Sequence, residues 1–370
     1  MSGVREVVAA MTAYTLELRE AEVKLNQNES PFDLPREIKE RLLARAAERP
    51  WNIYPDFESM ALREAIARAY GFGAENILVG NGSNELLAAA IFAFVGPGTP
   101  VVFPRPTFTL YEKLVTVAGG LPIPIDFSPD SGLLPLDKLL ASAGPGVVVI
   151  VCSPNNPTGG VLPDAGLAQL LATGATVLFD RAYGDFAGDE LPPLDDRLVT
   201  FSTFSKAWGL AALRVGWLVT TAATAREIRK VKLPYSLNVI SESIAVAALD
   251  ERTLRDANVR AIVDERERVA AKLRELAEVF PSRANFLAFR PAAPSKTVFE
   301  ELHARGILVR DISGYSGMRN CLRVSIGTRE ENDRFLKVLG ERASRPPAAG
   351  ILPDAKSYEP RERPAPQEIR

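Results

Sequence analysis

Short apolar runs recur through the middle of the chain, and each is followed by a polar turn. Such continuous runs are typical of strands that are buried on both faces of a mostly parallel sheet. Helical segments lie between several of them, which is the pattern of an α/β fold. Ligands of such sheets bind beyond the carboxyl ends of the strands, so we expect the turns to form the functional site. The runs are Ile77-Leu-Val79, Val101-Val-Phe103, Val147-Val-Val-Ile-Val151, Thr176-Val-Leu-Phe179, Leu198-Val-Thr-Phe201 and Val215-Gly-Trp-Leu-Val219.

The last third of the chain predicts a smaller α+β domain. It begins with a charged amphipathic helix over Leu254–Phe280. Strands are then predicted at Asn285–Phe289, Gly306–Arg310 and Cys321–Ile326, and helices at Val298–Arg305 and Glu330–Arg342. Ser344–Arg370 carries six prolines without periodicity, which predicts a disordered tail. The predicted units are an N-terminal arm that joins the small domain (1–34), a large domain (35–250), the small domain (251–343) and the tail (344–370).

One lysine lies in a turn that is suited to covalent chemistry. Lys206 follows the run at Leu198–Phe201, and its small and apolar neighbours favour a neutral amine. A neutral amine is the nucleophile that forms a Schiff base with an aldehyde. Thr203, Ser205 and Arg214 are suited to holding a phosphate beside it. The alternative is a solvated ammonium at the end of a strand.

A second turn is suited to an anion. Gly80-Asn-Gly82 resembles a dinucleotide fingerprint, but Glu85 occupies the position of the third glycine, so that interpretation fails. Ser83 and Asn84 begin a predicted helix, whose free backbone amides favour a phosphate. Alternatively, Ser83 is only a helix cap.

Three further turn residues suggest a flat heterocyclic ligand. Phe108 either stacks on such a ring or belongs to the core. Asn156 lies in a proline-flanked turn that holds its amide rigidly. Asp180 ends a buried strand, where an unpaired carboxylate is costly. A protonated pyridine nitrogen would supply the cation that Asp180 needs.

Composition excludes several classes of function. The formal net charge of −2 over 370 residues argues against a nucleic-acid surface. The two cysteines lie far apart and there is a single histidine, so neither a metal cage nor a histidine-based triad is expected. No stretch approaches the ~18 consecutive apolar residues of a membrane span. A cytoplasmic enzyme or binding protein is therefore expected.

Together these segments resemble the fold type I aminotransferases that depend on pyridoxal phosphate, and among them the chain is similar to histidinol-phosphate aminotransferases. The matching segments run in order from about residue 14 to about residue 340. They are Leu25-Asn-Gln-Asn-Glu29, Tyr54-Pro-Asp56, Gly80-Asn-Gly-Ser-Asn-Glu-Leu86, Ser153-Pro-Asn-Asn-Pro-Thr-Gly159, Asp180-Arg-Ala-Tyr183, Ser205-Lys206 with Arg214, Ala284-Asn-Phe-Leu287, Val309-Arg-Asp311 and Asn320-Cys-Leu-Arg323.

The resemblance implies a role for each matching residue. Lys206 would bind the cofactor covalently and move the proton, and Asp180 would pair with the pyridinium nitrogen. Tyr183 and Asn156 would bond the phenolic oxygen, and Phe108 would stack on the ring. The phosphate cup would comprise Ser83, Asn84, Thr203, Ser205, Arg214 and, from a neighbouring subunit, Tyr54. Arg323 would hold the substrate carboxylate. Arg310 would help to bind the phosphate of histidinol phosphate, with Tyr14 and Asn28 near the same pocket.

The implied reaction is amino transfer between histidinol phosphate and 2-oxoglutarate, a step of histidine biosynthesis, in a homodimer. An aminotransferase of aromatic amino acids, a decarboxylase of a phosphorylated amino acid that depends on the same cofactor, and a sensor domain with a partner-binding tail are the alternatives. For Arg310 the alternative is a surface salt bridge with Asp311. The chain departs from the common pattern at Phe108, where tyrosine is usual, at Ser30, where asparagine is frequent, and in a short segment from Tyr14 to Asn26.

Overall fold

The computed structural model describes residues 3–13 and 19–343. Tyr14 and the predicted tail lie outside the described residues. The strands of the described part are β1 (Val23–Lys24), β2 (Ile77–Asn81), β3 (Pro100–Arg105), β4 (Leu121–Asp126), β5 (Val148–Cys152), β6 (Thr176–Asp180), β7 (Leu198–Thr203), β8 (Val215–Val219), β9 (Ala277–Val279), β10 (Phe286–Pro291), β11 (Ile307–Leu308), β12 (Arg310–Asp311) and β13 (Leu322–Ser325).

Helices alternate with most of these strands. In the same described ranges they are α1 (Glu6–Ala9), α2 (Arg36–Ala47), α3 (Met60–Tyr70), α4 (Ser83–Phe94), α5 (Leu110–Ala118), α6 (Leu136–Ser142), α7 (Gly166–Ala172), α8 (Gly184–Ala187), α9 (Ala222–Arg229), α10 (Val239–Ala248), α11 (Arg252–Arg274), α12 (Ser295–Ala304) and α13 (Arg329–Ala343).

Within the described residues, seven strands form one sheet in the order β2-β8-β7-β6-β5-β3-β4. Strands β7, β6, β5, β3 and β4 run parallel, whereas β8 is antiparallel to both of its neighbours. The predicted mostly parallel α/β sheet is therefore confirmed. Because β8 runs the other way, its first residue lies at the edge where the parallel strands end.

The apolar runs are continuous because both faces of the large sheet are covered. Val101 and Ile150 pack with apolar residues of α4, α5 and α9 on one face. Val102 and Val149, the neighbouring residues in the chain, pack with α6 and α7 on the other face. Side chains alternate between the two faces of a strand, so each position of these runs must be apolar.

The C-terminal part forms a second, smaller sheet. Its order is β12-β13-β10-β9, and all of its pairs are antiparallel. Separately, β1 pairs in parallel with β11, so the N-terminal segment lies beside the C-terminal elements. The domain boundaries at residues 34 and 250 stay a prediction.

The structure corrects two predicted elements of this part. The helix predicted to reach Phe280 ends at Arg274, and Ala277–Val279 is the edge strand β9. The single strand predicted over Gly306–Arg310 is two short strands, because Ile307–Leu308 pairs with β1 whereas Arg310–Asp311 pairs with β13. Val309, between them, is buried in the core.

One edge strand was not predicted at all. β4 contains Pro122 and Pro124, each of which lacks a backbone donor. Proline is tolerated in a sheet only where the donor would have faced outward, and β4 has a single neighbour, β3. Pro122 and Pro124 argue against a strand in the sequence, but in the structure they are compatible with an edge strand.

Candidate active site

A cavity of about 440 Å3 lies at the carboxyl edge of the large sheet. Turns after β2, β3, β5, β6 and β7 open into it, together with the N-terminal segment and the small sheet. Of the residues singled out from the sequence, it is lined by Asn28, Ser83, Asn84, Phe108, Asn156, Asp180, Tyr183, Thr203, Ser205, Lys206, Arg214, Arg310 and Arg323. The fold thus brings together side chains that are up to about 300 positions apart in the chain.

Lys206 is held by the N-terminal segment. Its Nζ donates hydrogen bonds to the backbone oxygens of Gln27 at 3.0 Å and Asn28 at 2.9 Å. Burial, followed by the positive charge of Arg323, lowers the pKa of the Lys206 amine from 10.5 to about 7. A substantial fraction of this amine is therefore neutral near pH 7, which is the form that attacks a carbonyl carbon.

An anion cradle lies to one side of Lys206. Helix α4 begins at Ser83 directly after Gly82, which has a φ of +77°, and Ser83 and Asn84 of its first turn line the cavity. Arg214 Nη1 donates to Ser205 Oγ at 3.2 Å. Thr203 Oγ1 accepts a hydrogen bond from the Ser205 amide at 3.0 Å. Helix amides, a hydroxyl and a guanidinium at one point are suited to a phosphate.

The cradle depends on a close approach of two backbones. A Cβ built on Gly216 would lie 2.2 Å from the Ser83 nitrogen and 2.4 Å from the carbonyl carbon of Gly82. A Cβ on Gly82 would lie 2.6 Å from Arg214 Nη2. Glycine at 216 allows β8 to lie against the start of α4, and glycine at 82 tolerates the positive φ of that position.

Asp180 lies at the floor of the cavity. Its Oδ2 accepts a hydrogen bond from the Tyr111 hydroxyl at 2.7 Å, and its Oδ1 accepts one from the Ala182 amide at 2.9 Å. Burial raises the pKa of the Asp180 carboxyl, and these two donors act in the opposite direction. A cationic group in the cavity would stabilise the ionised form further.

Tyr111 is a site residue that was not predicted from the sequence. It is fully buried, lines the cavity, and packs edge-on against Phe108 with ring centroids 5.6 Å apart. Its position three residues after Phe108, at the start of α5, is the signal that could have identified it. Because α5 begins at Leu110, directly after this edge turn, the residues of its first turn lie close to the same site.

Tyr183 and Asn156 each form a hydrogen bond with another side chain that lines the cavity. The Tyr183 hydroxyl accepts a hydrogen bond from Asn28 Nδ2 at 3.1 Å, and its ring lies edge-on to Phe286. Asn156 Oδ1 instead accepts a hydrogen bond from Arg323 Nη1. Burial raises the pKa of Tyr183, so its hydroxyl remains a proton donor at neutral pH.

Two arginines of the small sheet face the cavity. Arg323 is buried, and its Nη2 donates to the backbone oxygen of Asn26 at 2.8 Å. Arg310 is its direct partner across the antiparallel pair β12–β13. Asp311 accepts a hydrogen bond from the Ser313 amide, and among the described residues no ion pair joins it to Arg310. The surface salt bridge considered for Arg310 is therefore absent from this part of the chain.

Tyr54 lies outside the cavity. Its side chain is 78% exposed and stacks on Tyr235, with ring centroids 4.7 Å apart. Trp51, Ile53 and Phe57 are exposed nearby in the chain. This group of exposed large apolar side chains has the character of a surface that another protein covers.

A comparison of the whole chain with protein families decides its membership. The model of the family "Aminotransferase class I and II" matches residues 20–339. The chain belongs to this aminotransferase family. The match includes every cavity residue named above, so the predicted family and fold type are confirmed.

Individual relatives of this aminotransferase agree with the family match. A histidinol-phosphate aminotransferase of Chlorobaculum parvum is 38% identical over 330 residues, which cover 87% of this chain and 92% of the relative. One of Thermococcus gammatolerans is 36% identical and covers 94% of this chain and 100% of the relative. The crystal structure of the Sinorhizobium meliloti histidinol-phosphate aminotransferase with pyridoxal-5′-phosphate matches with a TM-score of 0.82. At 24% identity, over 93% of this chain and 98% of that one, it shows the shared fold.

The described part of the aminotransferase contains neither a membrane-spanning helix nor a cluster of metal-ligating side chains. Among residues 3–13 and 19–343, no helix is both long and apolar enough to cross a membrane. In the same ranges, no three histidine, cysteine or acidic side chains are grouped as metal ligands would be.

Proposed function

We propose that this aminotransferase uses pyridoxal phosphate to transfer the amino group of histidinol phosphate to 2-oxoglutarate. The observation that carries the proposal is the arginine pair, since Arg310 and Arg323 lie directly opposite each other and line the same cavity. Like charges opposite each other in a sheet are unfavourable unless an anion lies between or beside them. The names of the relatives that are 36–38% identical support the same substrate.

The cavity residues fit the cofactor. The amine of Lys206 suits its aldehyde, the cradle of α4, Ser205 and Arg214 suits its phosphate, and the buried carboxylate of Asp180 suits its ring nitrogen. When bound, pyridoxal phosphate supplies an electron-accepting ring that stabilises negative charge at the substrate carbon. Gly216 leaves the cradle open for a phosphate because a larger residue would displace the first turn of α4.

The side chains around the cofactor have separate roles in proton transfer, hydrogen bonding and ring packing. With a pKa of about 7, Lys206 can give up and recover a proton at neutral pH, so we assign it proton transfer as well as attachment. Tyr183 and Asn156 are hydrogen-bond partners for the phenolic oxygen. Phe108 packs against the ring, and Asp180 holds the ring nitrogen in its charged form.

Substrate binding is assigned to the two arginines. Arg323 holds the carboxylate of 2-oxoglutarate or glutamate through a bidentate pair, for which its guanidinium is already oriented by Asn156 and Asn26. Arg310 binds the phosphate of histidinol phosphate, with Asn28 at the cavity wall. The expected contribution of Tyr14 lies outside the described residues and stays a prediction.

The working unit that we propose is a homodimer. Tyr54 is far too exposed for a residue that binds a cofactor within its own chain, whereas a second copy that covers Trp51, Ile53 and Phe57 could receive it. The apolar character of these neighbours supports an interface of copies of the chain. In such a dimer, Tyr54 would reach the cofactor phosphate of the other subunit.

The proposal is tested by following both halves of the reaction. The protein loaded with pyridoxal phosphate is mixed with histidinol phosphate in excess, freed of unbound donor, and then given 2-oxoglutarate. We expect one equivalent of glutamate per active site in the second step. Release of carbon dioxide without a need for an oxoacid would favour the decarboxylase, and amino transfer only from phenylalanine would favour the aromatic aminotransferase.

A further inference from the structure

We propose that Tyr111 is a positioning residue that acts through Asp180 and keeps the shared proton on the ring nitrogen of the cofactor. The inference rests on the proposed function, since it concerns how Asp180 meets pyridoxal phosphate. It adds a residue from α5 to a site that the sequence motifs confined to the turns.

The geometry gives Tyr111 one clear task. Its hydroxyl lies 2.7 Å from Asp180 Oδ2, while the Ala182 amide occupies Oδ1 at 2.9 Å. The two donors together fix the plane of the carboxylate. The Tyr111 side chain is fully buried and its ring packs edge-on against Phe108, which restricts the positions that the hydroxyl can take.

The direction of the hydrogen bond follows from the titratable groups that surround this pair. These groups are Cys152 on β5 and Tyr183 after β6. The Cys152 thiol donates to the backbone oxygen of Pro154 at 3.2 Å, and burial raises its pKa, so it stays protonated. Burial and the charge of Asp180 also raise the pKa of Tyr111. Tyr111 is thus a permanent donor, and Asp180 is the acceptor.

A donor at Asp180 changes where the proton of the cofactor ring lies. The hydrogen bond stabilises the carboxylate and makes it a weaker base. A weaker base leaves the proton on the ring nitrogen, where the positive charge is needed. Without Tyr111, the buried carboxyl would compete for that proton, and in a medium of low polarity a neutral pair would be favoured over an ion pair.

Tyr111→Phe tests this role because it removes one oxygen and keeps the buried ring. The holoenzyme is prepared with pyridoxal phosphate labelled with 15N in the ring, and the chemical shift of that nitrogen is measured. We expect a shift toward the unprotonated ring in Tyr111→Phe. We also expect kcat to fall about 10- to 100-fold, with a smaller change in KM, as for loss of a bond to a charged group.

Tyr70→Phe is the matched control. Like Tyr111→Phe, it removes one hydroxyl, but Tyr70 packs against Trp217 and does not line the cavity. It should leave the 15N shift and kcat at their wild-type values. A purely structural role for Tyr111 would lower thermal stability and leave the 15N shift unchanged. That outcome would overturn the proposal.

A second measurement separates this inference from the proposed function. In the full-length chain freed of cofactor, 13C-labelled aspartate allows the Asp180 carboxyl to be titrated directly. Its pKa should be higher in Tyr111→Phe than in the wild type, whatever the substrate of the enzyme. An unchanged titration would refute the role of Tyr111 even if amino transfer is found. If the wild type binds no pyridoxal phosphate, the proposed function fails instead, and the role of Tyr111 fails with it.

Discussion

Arg310 and Arg323 are direct partners across the antiparallel strands β12 and β13, so both side chains project from the same face of the small sheet toward one cavity. Arg323 is tied to Asn156 and to the backbone of Asn26, which fixes its guanidinium. Arg310 is half-buried and lines both this cavity and an adjoining one. Arg323, whose guanidinium is fixed, is suited to the carboxylate of the oxoacid acceptor. Arg310 is suited to the group that distinguishes one amino donor from another.

Arg310→Ala should therefore impair one donor selectively. A phosphate monoester carries close to two negative charges at neutral pH, so it needs more than one cation. We expect KM for histidinol phosphate to rise at least ~10-fold, and Arg310→Lys to recover only part of this loss because a point charge does not reproduce the planar fork. Steady-state kinetics with each donor measures the effect.

The matched control for this substitution is Arg305→Ala. Arg305 is exposed, pairs with Glu341, and lines neither of the two cavities. Its replacement should leave KM unchanged. Unaltered kinetics in Arg310→Ala would show that the phosphate is bound elsewhere.

Attachment of the cofactor should depend on pH in a way that reports the environment of Lys206. The pKa of its amine is lowered to about 7, so the amine is protonated and unreactive at pH 5.5 and mostly neutral at pH 8.5. The initial rate of attachment to the cofactor-free protein should rise through pH 7 and then level off. Trapping with borohydride after short exposures, followed by peptide mapping, should place the cofactor on Lys206.

Nα-acetyl-lysine, which has a free ε-amine, provides the reference for that experiment. Its ordinary pKa of about 10.4 predicts a rate that is still rising at pH 8.5. A protein profile that follows the reference, or a label on a different lysine, would contradict the assignment of Lys206.

Gly216→Ala should damage the anion cradle without altering any polar side chain. The new methyl group would lie 2.2 Å from the Ser83 nitrogen, and a backbone atom cannot move aside as a flexible side chain can. We expect a loss of about 1–3 kcal/mol in unfolding free energy, typical of overpacking, and a weaker affinity for pyridoxal phosphate. Gly96→Ala, where a Cβ would meet nothing within 4 Å, is the control. Equal affinity of the two variants for pyridoxal phosphate would show that the cradle does not depend on glycine at position 216.

Mixed dimers test whether Tyr54 serves the neighbouring subunit. Lys206→Ala subunits have no amine for the cofactor, and Tyr54→Phe subunits lack the hydroxyl offered to their partner. A heterodimer of the two should contain one sound site, built from Lys206 of one chain and Tyr54 of the other. Activity of purified heterodimers should exceed that of either parent homodimer. Activity no greater than the mean of the parents would argue against shared sites.

The large sheet and its ligand edge could be predicted because local pattern and environment agree there. Val101 and Val102 are both apolar since each faces a helix layer, and that continuous pattern identifies a buried parallel strand. Asp180 is the last residue of such a strand, and Lys206 and Ser83 lie in the segments that follow two others. The connection between parallel strands fixes the edge at which they end, so the sequence places these residues together without knowledge of their contacts.

Long-range pairing explains what the sequence did not reveal. The segment from Gly306 to Arg310 is uniformly suited to a strand, yet it pairs with two different strands. Ile307–Leu308 pairs with β1, which lies hundreds of residues earlier, and Arg310 pairs with β13, about a dozen residues later. The partner of Asp180 is Tyr111, which lies 69 positions earlier in α5. The spacing from Phe108 places Tyr111 near the site, but it does not reveal a hydrogen bond to Asp180.

The most direct test of the account compares kcat/KM for histidinol phosphate and for phenylalanine in the wild-type enzyme, with 2-oxoglutarate as the acceptor. The paired arginines predict a clear preference for histidinol phosphate, and this preference should fall at least ~10-fold in Arg310→Ala because only the phosphate donor uses that contact. A wild type that prefers phenylalanine, or a preference for histidinol phosphate that survives in Arg310→Ala, would contradict the phosphate-binding role on which the proposed function depends.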